Sequence, residues 1–102
     1  MITTITLFTL PKGTDLDLLR ASFAEAASLF EAVPGLVRKQ FLISEDGRTA
    51  GGVYLWNDRE AAETFLITTV APLVLQNFGV EPVIQYYETP VVVEAFEAAF
   101  AV

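Results

Sequence analysis

Lys39 lies in an apolar stretch and is the first candidate for chemistry. It stands in the run LVRKQFLIS, residues 36–44, whose apolar and β-branched residues are typical of a strand. A charged group held in a low-dielectric pocket binds an anion or has its pKa lowered, so Lys39 could serve as a base or an anion anchor. The alternative is a structural lysine whose stem packs while its amine reaches water or pairs with a carboxylate.

Aromatic side chains that carry a polar atom form the second group of candidates. Tyr54 and Trp56 share one face of a predicted strand, and Tyr86 or Tyr87 could join them. Such a set could line a flat pocket and orient an aromatic ligand through an O–H or N–H group. Aromatic core packing is the alternative. Asn57, which follows Trp56, either holds a substrate oxygen or is a turn residue.

Gln85 and the glycine pair at 51 and 52 complete the candidates. Gln85 is polar in an apolar strand, so we expect it to be buried and to find a partner in Lys39, a tyrosine or a ligand. Gly51 and Gly52 lack the spacing of a nucleotide-binding loop. Paired glycines in a strand indicate a bulge or a close backbone approach, which could leave space for a ligand.

The composition of the 102 residues excludes several kinds of site. Cysteine and histidine are absent, which excludes a disulfide, a thiolate nucleophile, a Ser-His-Asp triad, a His-ligated haem and the usual zinc sites. The acidic residues show no metal-ligand spacing, so we expect neither a metal nor a cofactor. The net charge of −7 argues against a nucleic-acid partner, because phosphate binding needs a basic face.

The length predicts a single domain over residues 1–102. Hydrophobic residues make up 53% of it, whereas a small domain buries only about two-thirds of its unfolded surface. The surplus suggests a partner, most simply a second copy of the chain. The first residues lack the positive region of a signal peptide, and no apolar run approaches the roughly 20 residues that span a bilayer. We therefore expect a soluble cytoplasmic protein with no membrane partner.

Predicted elements alternate along the chain in the order β-α-β-β-α-β, with a further short helix before the last strand. Strands are predicted over residues 2–10, 36–44, 48–56 and 81–88. A first helix begins at Thr14 as N-cap and ends near residue 32, and a second covers 59–69 with Asp58 as N-cap. Pro72 and Gly79 bound the short helix. This order indicates an α+β, ferredoxin-like βαββαβ fold with an antiparallel four-stranded sheet and both helices on one face.

Both faces of the predicted sheet are apolar. In the third strand Val53 and Leu55 point one way while Tyr54 and Trp56 point the other. A sheet with two apolar faces suggests two copies packed face to face, as in a dimeric α/β barrel. The tail at 91–102 is also too apolar to stay in water, so we expect it to dock, either on its own domain or on a second protomer.

The segment at 34–65 resembles a known family. The stretch PG-L-x-x-K from Pro34 to Lys39, the stretch GGVYLW from Gly51 to Trp56 and the later Thr89-Pro90-Val91 are similar to the YdhR-like monooxygenases. These belong to the dimeric α/β-barrel superfamily, alongside the antibiotic-biosynthesis monooxygenases. The resemblance covers most of the chain and weakens in the first helix and beyond about residue 93.

The resemblance implies a homodimer with a cavity between helices and sheet. Relatives oxidise electron-rich aromatics or quinols with O₂ and without a metal or flavin. By this resemblance Trp56 and Asn57 are cavity residues, Tyr54 is an orienting donor, and Lys39 is a base or anion anchor.

Three functions remain open on the sequence. The first is a cofactor-independent monooxygenase that oxidises a small aromatic or quinol-like substrate, with Lys39, Tyr54 and Trp56 as catalytic residues and Asn57, Gln85 and Tyr86 as substrate-binding residues. The second is a non-catalytic module that binds a small apolar ligand or only dimerises. The third is an oxygen-independent isomerisation or decarboxylation. A strongly shifted Lys39 in a cavity wall favours an enzyme, whereas a solvated Lys39 favours the binding module.

Overall fold

Four strands rich in β-branched and aromatic residues form one antiparallel sheet. The computed structural model describes residues 1–95, in which the strands are β1 (Ile2–Thr9), β2 (Leu36–Ile43), β3 (Thr49–Trp56) and β4 (Val83–Glu88). Their order in the sheet is β2-β3-β1-β4, and every neighbouring pair is antiparallel. The predicted ferredoxin-like α+β fold is confirmed. Strand β4 begins two residues later than predicted, after Pro82, which has no N–H for a strand ladder.

The first helix starts one residue later than its predicted N-cap implies. Helix α1 (Leu16–Ala26) is capped by Asp15, whose carboxylate accepts from the backbone N–H groups of Asp17 and Leu18 at 3.0 and 3.2 Å. The prediction of Thr14 as N-cap is wrong, because its hydroxyl instead donates to the Pro11 carbonyl at 2.6 Å. A 3₁₀ turn over Ala27–Phe30 continues the helix.

The second and third predicted helices are parts of one helical segment. Helix α2 (Arg59–Phe65) has Asp58 as N-cap, as predicted, and passes through a π-helical turn (Leu66–Val70) into α3 (Ala71–Phe78). The wider turn directly precedes Pro72, which has no N–H to continue the α-helical pattern. Gly79 ends α3 in the left-handed conformation, with φ of 74°. No helix in residues 1–95 is long and apolar enough to cross a membrane.

The core lies between the helices and one face of the sheet. Cross-strand register aligns Lys39 of β2, Tyr54 of β3, Thr4 of β1 and Tyr86 of β4 in one row on that face. The largest fully buried side chains are Trp56, Tyr54, Leu66 and Thr4. The row therefore places the Lys39 and Tyr54 side chains beneath the helical layer.

No helix within residues 1–95 covers the opposite face of the sheet. Leu7 and Tyr87 on this face are 38% and 47% exposed. Residues 91–95 follow β4 without regular structure, and Val91 and Val92 line a shallow groove along this face. Glu94 pairs with Arg38 of β2 at 3.2 Å. The first part of the predicted docking tail therefore contacts the open face, and residues 96–102 lie outside the described residues.

Candidate functional site

The amine of Lys39 lies in a cage of aromatic rings. Its Nζ donates a hydrogen bond to the Tyr54 hydroxyl at 2.9 Å. The same nitrogen lies 3.4 Å from the ring centre of Phe30 and 4.0 Å from that of Phe41, with the Tyr54 ring centre at 4.5 Å. Ring faces attract a cation electrostatically, so the cage offsets part of the cost of removing an ammonium from water.

Burial lowers the pKa of Lys39 to about 7. No carboxylate within residues 1–95 lies within salt-bridge distance of its amine. A buried ammonium without an opposite charge loses hydration that the rings restore only in part. Near neutral pH, comparable amounts of Lys39 are therefore neutral amine and ammonium. The neutral amine is the form that acts as a general base.

Tyr54 keeps its proton. The side chain is 1% exposed, and burial raises the pKa of its phenol to about 12, with the Thr6 hydroxyl partly opposing the shift. The hydroxyl next to Lys39 is thus a neutral group that can both donate and accept a hydrogen bond. It can orient a ligand oxygen or pass a proton to or from the amine.

A cavity of about 290 Å³ opens beside this pair, between the sheet and helices α1 and α3. Phenyl rings and aliphatic side chains form most of its wall. The polar residues among those that line it are Thr6, Ser22, Lys39, Tyr54 and Asn77. A mostly apolar cavity with a few polar groups suits a small, flat organic molecule.

Gly51 and Gly52 lie where neighbouring atoms come close to the backbone of β3, which confirms the predicted close backbone approach. A β-carbon at Gly51 would overlap the Thr6 carbonyl oxygen of β1. A β-carbon at Gly52 would lie 3.2 Å from Cε1 of Tyr54 and 3.3 Å from Cε of Lys39. The absent side chain at Gly52 therefore lets Lys39 and Tyr54 lie across the sheet surface.

Trp56 lies behind Tyr54 and not among the residues that line the cavity. The two rings stack at 5.6 Å between centres with 15° between planes. The indole Nε1 donates to the Thr4 hydroxyl at 2.9 Å, so the tryptophan is fixed from both sides. This arrangement makes Trp56 a support for the Tyr54 ring.

Tyr86 and Asn57 are also outside the cavity wall. Tyr86 lies on the same sheet face as Tyr54 but two strands away, with the Arg59 guanidinium 4.2 Å from its ring centre. Asn57 is exposed after β3, and its backbone N–H donates to the Gly35 carbonyl at 2.8 Å. In the described chain Asn57 is therefore a turn residue, the second of the two interpretations that the sequence left open.

Gln85 lies on the open face and is exposed in the described chain, so the helical layer does not bury it as expected. It pairs in register with Ile5, whose side chain points away from the helices. The side chain is exposed, and its Oε1 accepts from the Tyr87 hydroxyl at 3.0 Å. A neighbouring tyrosine is therefore its partner, one of the three that the sequence left open.

Sequence reasoning missed the two phenylalanines of the cage and three polar residues of the cavity, of which Thr6 lies on β1. Phe41 could have been found, because it lies two residues after Lys39 and so shares its strand face. Phe30, Ser22 and Asn77 gave no such signal, since they come from the helical layer and only the tertiary packing brings them to the site.

Comparisons with known proteins agree with this architecture. A family model described as "Putative mono-oxygenase ydhR" matches residues 8–97. No curated protein matches the chain.

Several solved structures share the fold. NE2512 of Nitrosomonas europaea, a protein of unknown function, has a TM-score of 0.73 at 16% identity, covering 92% of this chain and 93% of that one. SnoaB, a cofactor-independent oxygenase from Streptomyces nogalater, has a TM-score of 0.62 at 18% identity, with 92% and 97% covered. A protein of Deinococcus radiodurans described as a putative antibiotic biosynthesis monooxygenase has a TM-score of 0.67 at 14% identity, covering 93% of this chain and 98% of that one. At these identities the likeness is one of fold.

Proposed function

Since the chain belongs to the ydhR mono-oxygenase family, we propose that it is a cofactor-independent monooxygenase that oxidises a small aromatic or quinol-like substrate in the cavity between helices and sheet. The observation that carries the proposal is the contact of the Lys39 amine with the Tyr54 hydroxyl at the wall of an apolar cavity. A base and an orienting hydroxyl are the two groups that such a reaction asks of the protein.

Lys39 acts as the base in this proposal. As a neutral amine it removes the proton of a substrate hydroxyl, and the resulting ammonium is held over the Phe30 and Phe41 rings. The substrate anion is electron-rich enough to reduce O₂ directly. One oxygen atom bonds to the ring carbon, and the other leaves as water with one hydrogen from the hydroxyl and one from that carbon. A phenolic ring thereby becomes a quinone.

Tyr54 and Trp56 position the substrate. The protonated Tyr54 hydroxyl donates to the substrate oxygen and so fixes it near the amine. Trp56 acts through Tyr54, because it stacks on that ring and does not line the cavity. Asn57, Gln85 and Tyr86 lie outside this cavity in the described chain and take no part in the proposed reaction.

Oxygen uptake tests the proposal. We expect purified protein to consume O₂ in step with quinone formation from 1-naphthol or anthrone. Lys39→Met should lower kcat by about a hundredfold or more, the range for losing a general base. Lys12→Met, which removes the exposed lysine before α1, should leave the rate unchanged.

A non-catalytic binding module predicts a different result. In that case the same aromatic compounds would bind in the cavity with no O₂ uptake above the buffer rate, and Lys39→Met would change only affinity. The lowered pKa of Lys39 favours the enzyme, because a binding pocket gains nothing from an amine that loses its charge near neutral pH.

We also propose that two copies of the chain pack through the open face of the sheet to form a homodimer. The support is the exposed apolar surface of this face, on which Val83, Leu7 and Tyr87 are 65%, 38% and 47% exposed. Water contact with these side chains is unfavourable, and a second copy offers a matching apolar surface.

A further inference from the structure

We propose that Lys39 forms a covalent imine with small neutral aromatic aldehydes or ketones that enter the cavity. This inference goes beyond the oxygen-dependent reaction, since it requires neither O₂ nor an electron-rich ring. It rests on the position of the amine, on what surrounds it and on the hydroxyl beside it.

The amine is placed as a nucleophile rather than as half of an ion pair. Its one hydrogen bond in the described residues is to Tyr54 at 2.9 Å, and the rings of Phe30 and Phe41 cover it on other sides. No carboxylate in residues 1–95 lies within salt-bridge distance to hold it as a cation. The pKa of about 7 agrees with this setting, because a neutral amine has the free electron pair that attacks a carbonyl.

The same groups serve each step of imine formation. The Lys39 nitrogen attacks the carbonyl carbon, which forms a C–N bond and moves the π electrons onto oxygen. Tyr54 supplies a proton to that oxygen and regains one from the nitrogen. Tyr54 then donates a proton to the carbinolamine hydroxyl, the nitrogen electron pair forms the C=N bond as the C–O bond breaks and water leaves, and the N–H proton returns to Tyr54. Amine and carbonyl thus give imine and water with no change of oxidation state. When protonated, the imine carries the positive charge that the cage already accommodates.

The cavity selects the ligand class. Its wall is mostly apolar, its volume of about 290 Å³ suits a compact molecule, and Lys39 is the only cation among the described residues that line it. The protonated imine keeps that charge at the reacting carbon, and no second cation among the described lining residues is left to pair with a carboxylate elsewhere on the ligand. A neutral aryl aldehyde or aryl ketone therefore fits better than a carboxylated one.

Reductive trapping with benzaldehyde and sodium cyanoborohydride under nitrogen tests the proposal. The chain has two lysines, Lys39 and Lys12, and one N-terminal amine at Met1, so peptide mapping assigns every benzyl group. At about pH 7 we expect labelling of Lys39 at least about tenfold faster than of Lys12, because an ordinary exposed lysine has almost no neutral amine there. Equal or slower labelling of Lys39 within the same folded molecule would overturn the inference.

Two variants test whether trapping at Lys39 depends on the cavity amine and the Tyr54 hydroxyl rather than on the solvent exposure of an amine. Lys39→Arg should abolish labelling in the cavity while leaving Lys12 labelling unchanged. Tyr54→Phe should slow the trapping at Lys39 without moving it to another amine, because proton transfer is lost and the ring remains. Trapping of Tyr54→Phe at the wild-type rate would remove tyrosine from the mechanism and contradict the proposed proton path.

The pH dependence of trapping is a further check in the unmodified protein. The rate at Lys39 should rise through about pH 7 and then level off. The other groups around the amine are Tyr54 on β3 and, along an adjoining hollow, Glu31 and Arg38. A rate at Lys39 that only begins to rise well above neutral pH would contradict the inference. Because the trapping assay excludes oxygen, the two proposals fail separately: O₂ uptake without trapping at Lys39 would overturn only the imine, and trapping without O₂ uptake would overturn only the monooxygenase.

Discussion

Lys39 makes the stability of this protein depend on pH, because its amine is buried when the chain folds and hydrated when it unfolds. Burial lowers its pKa to about 7 in the folded state, against 10.5 for an ordinary lysine. Between these values the unfolded chain binds a proton that the folded chain releases. The free energy of unfolding therefore rises with pH in this window, by up to about 1.4 kcal/mol per pH unit. Below the folded-state pKa the penalty for burying the ammonium is present in full.

Replacing Lys39 by methionine should remove this dependence. We expect the stability of Lys39→Met relative to wild type to fall by about 1–3 kcal/mol as pH rises from about 6.5 to about 9. Urea unfolding at several pH values measures the difference. Lys12→Met should show no such slope, and parallel curves for Lys39→Met and wild type would show that Lys39 is not buried as described.

The paired glycines should respond differently to alanine. Gly51→Ala would put a methyl group onto the Thr6 carbonyl of the neighbouring strand, so we expect a loss of about 3 kcal/mol or more, or failure to fold. Gly52→Ala would put its methyl group 3.2 Å from the Gln40 carbonyl oxygen and from Cε1 of Tyr54, and 3.3 Å from Cε of Lys39, so we expect a smaller loss of about 1–2 kcal/mol. Thermal unfolding of both variants measures the order, and a smaller loss for Gly51→Ala would contradict the close strand approach.

The sequence identified the candidate residues Lys39 and Tyr54 better than their surroundings. A lysine in an apolar strand is a candidate by its type, although a structural lysine and aromatic core packing were equally consistent with the pattern. Phe41 could be placed beside Lys39 by strand alternation. Phe30 could not, because an aromatic residue at core spacing has the same pattern whether it packs on carbon or on an amine. The face on which Gln85 lies could not be predicted, because both faces of β4 carry apolar residues. Alternation alone therefore does not show which face of the strand points inward.

At the scale of elements, α1 offers a direct test of the cap assignment. Asp15→Ala removes a carboxylate that accepts two backbone N–H groups, so it should cost about 1 kcal/mol of stability. Thr14→Ala removes only a turn hydrogen bond to Pro11 and should cost less. Urea unfolding near neutral pH compares the two variants, and a larger loss for Thr14→Ala would return the cap to Thr14.

Element boundaries were predictable where the type of a single residue sets the start or the end of a helix. Asp58 and Gly79 begin and end the second helical segment as their types require. The join of α2 and α3 was not predictable, because a proline inside a helical pattern normally signals a new start. Here the π-helical turn before Pro72 shifts the hydrogen-bond pattern by one residue, so the segment continues through it.

At the scale of the whole molecule, the fold follows from the order of the elements. The second apolar face of the sheet is the feature that calls for a covering partner. The sequence predicted two apolar faces, and the structure covers one with helices while residues 91–92 only line a shallow groove on the other. The net charge of −7 makes copies of the chain repel one another, whereas the apolar open face of the sheet favours burial.

Leu7→Glu tests the homodimer, since Leu7 lies on the central strand β1 and points out of the open face. In an isologous interface each substitution buries two carboxylates, so we expect the dimer to dissociate at least about tenfold more readily. Sedimentation equilibrium measures this, with circular dichroism to verify that the monomer keeps its fold. Leu18→Glu on α1, where the leucine is 67% exposed on the helical side, is the matched control and should leave the dimer intact. A wild-type chain that stays monomeric at high concentration would contradict the homodimer. Equal dissociation of both variants would place the interface elsewhere.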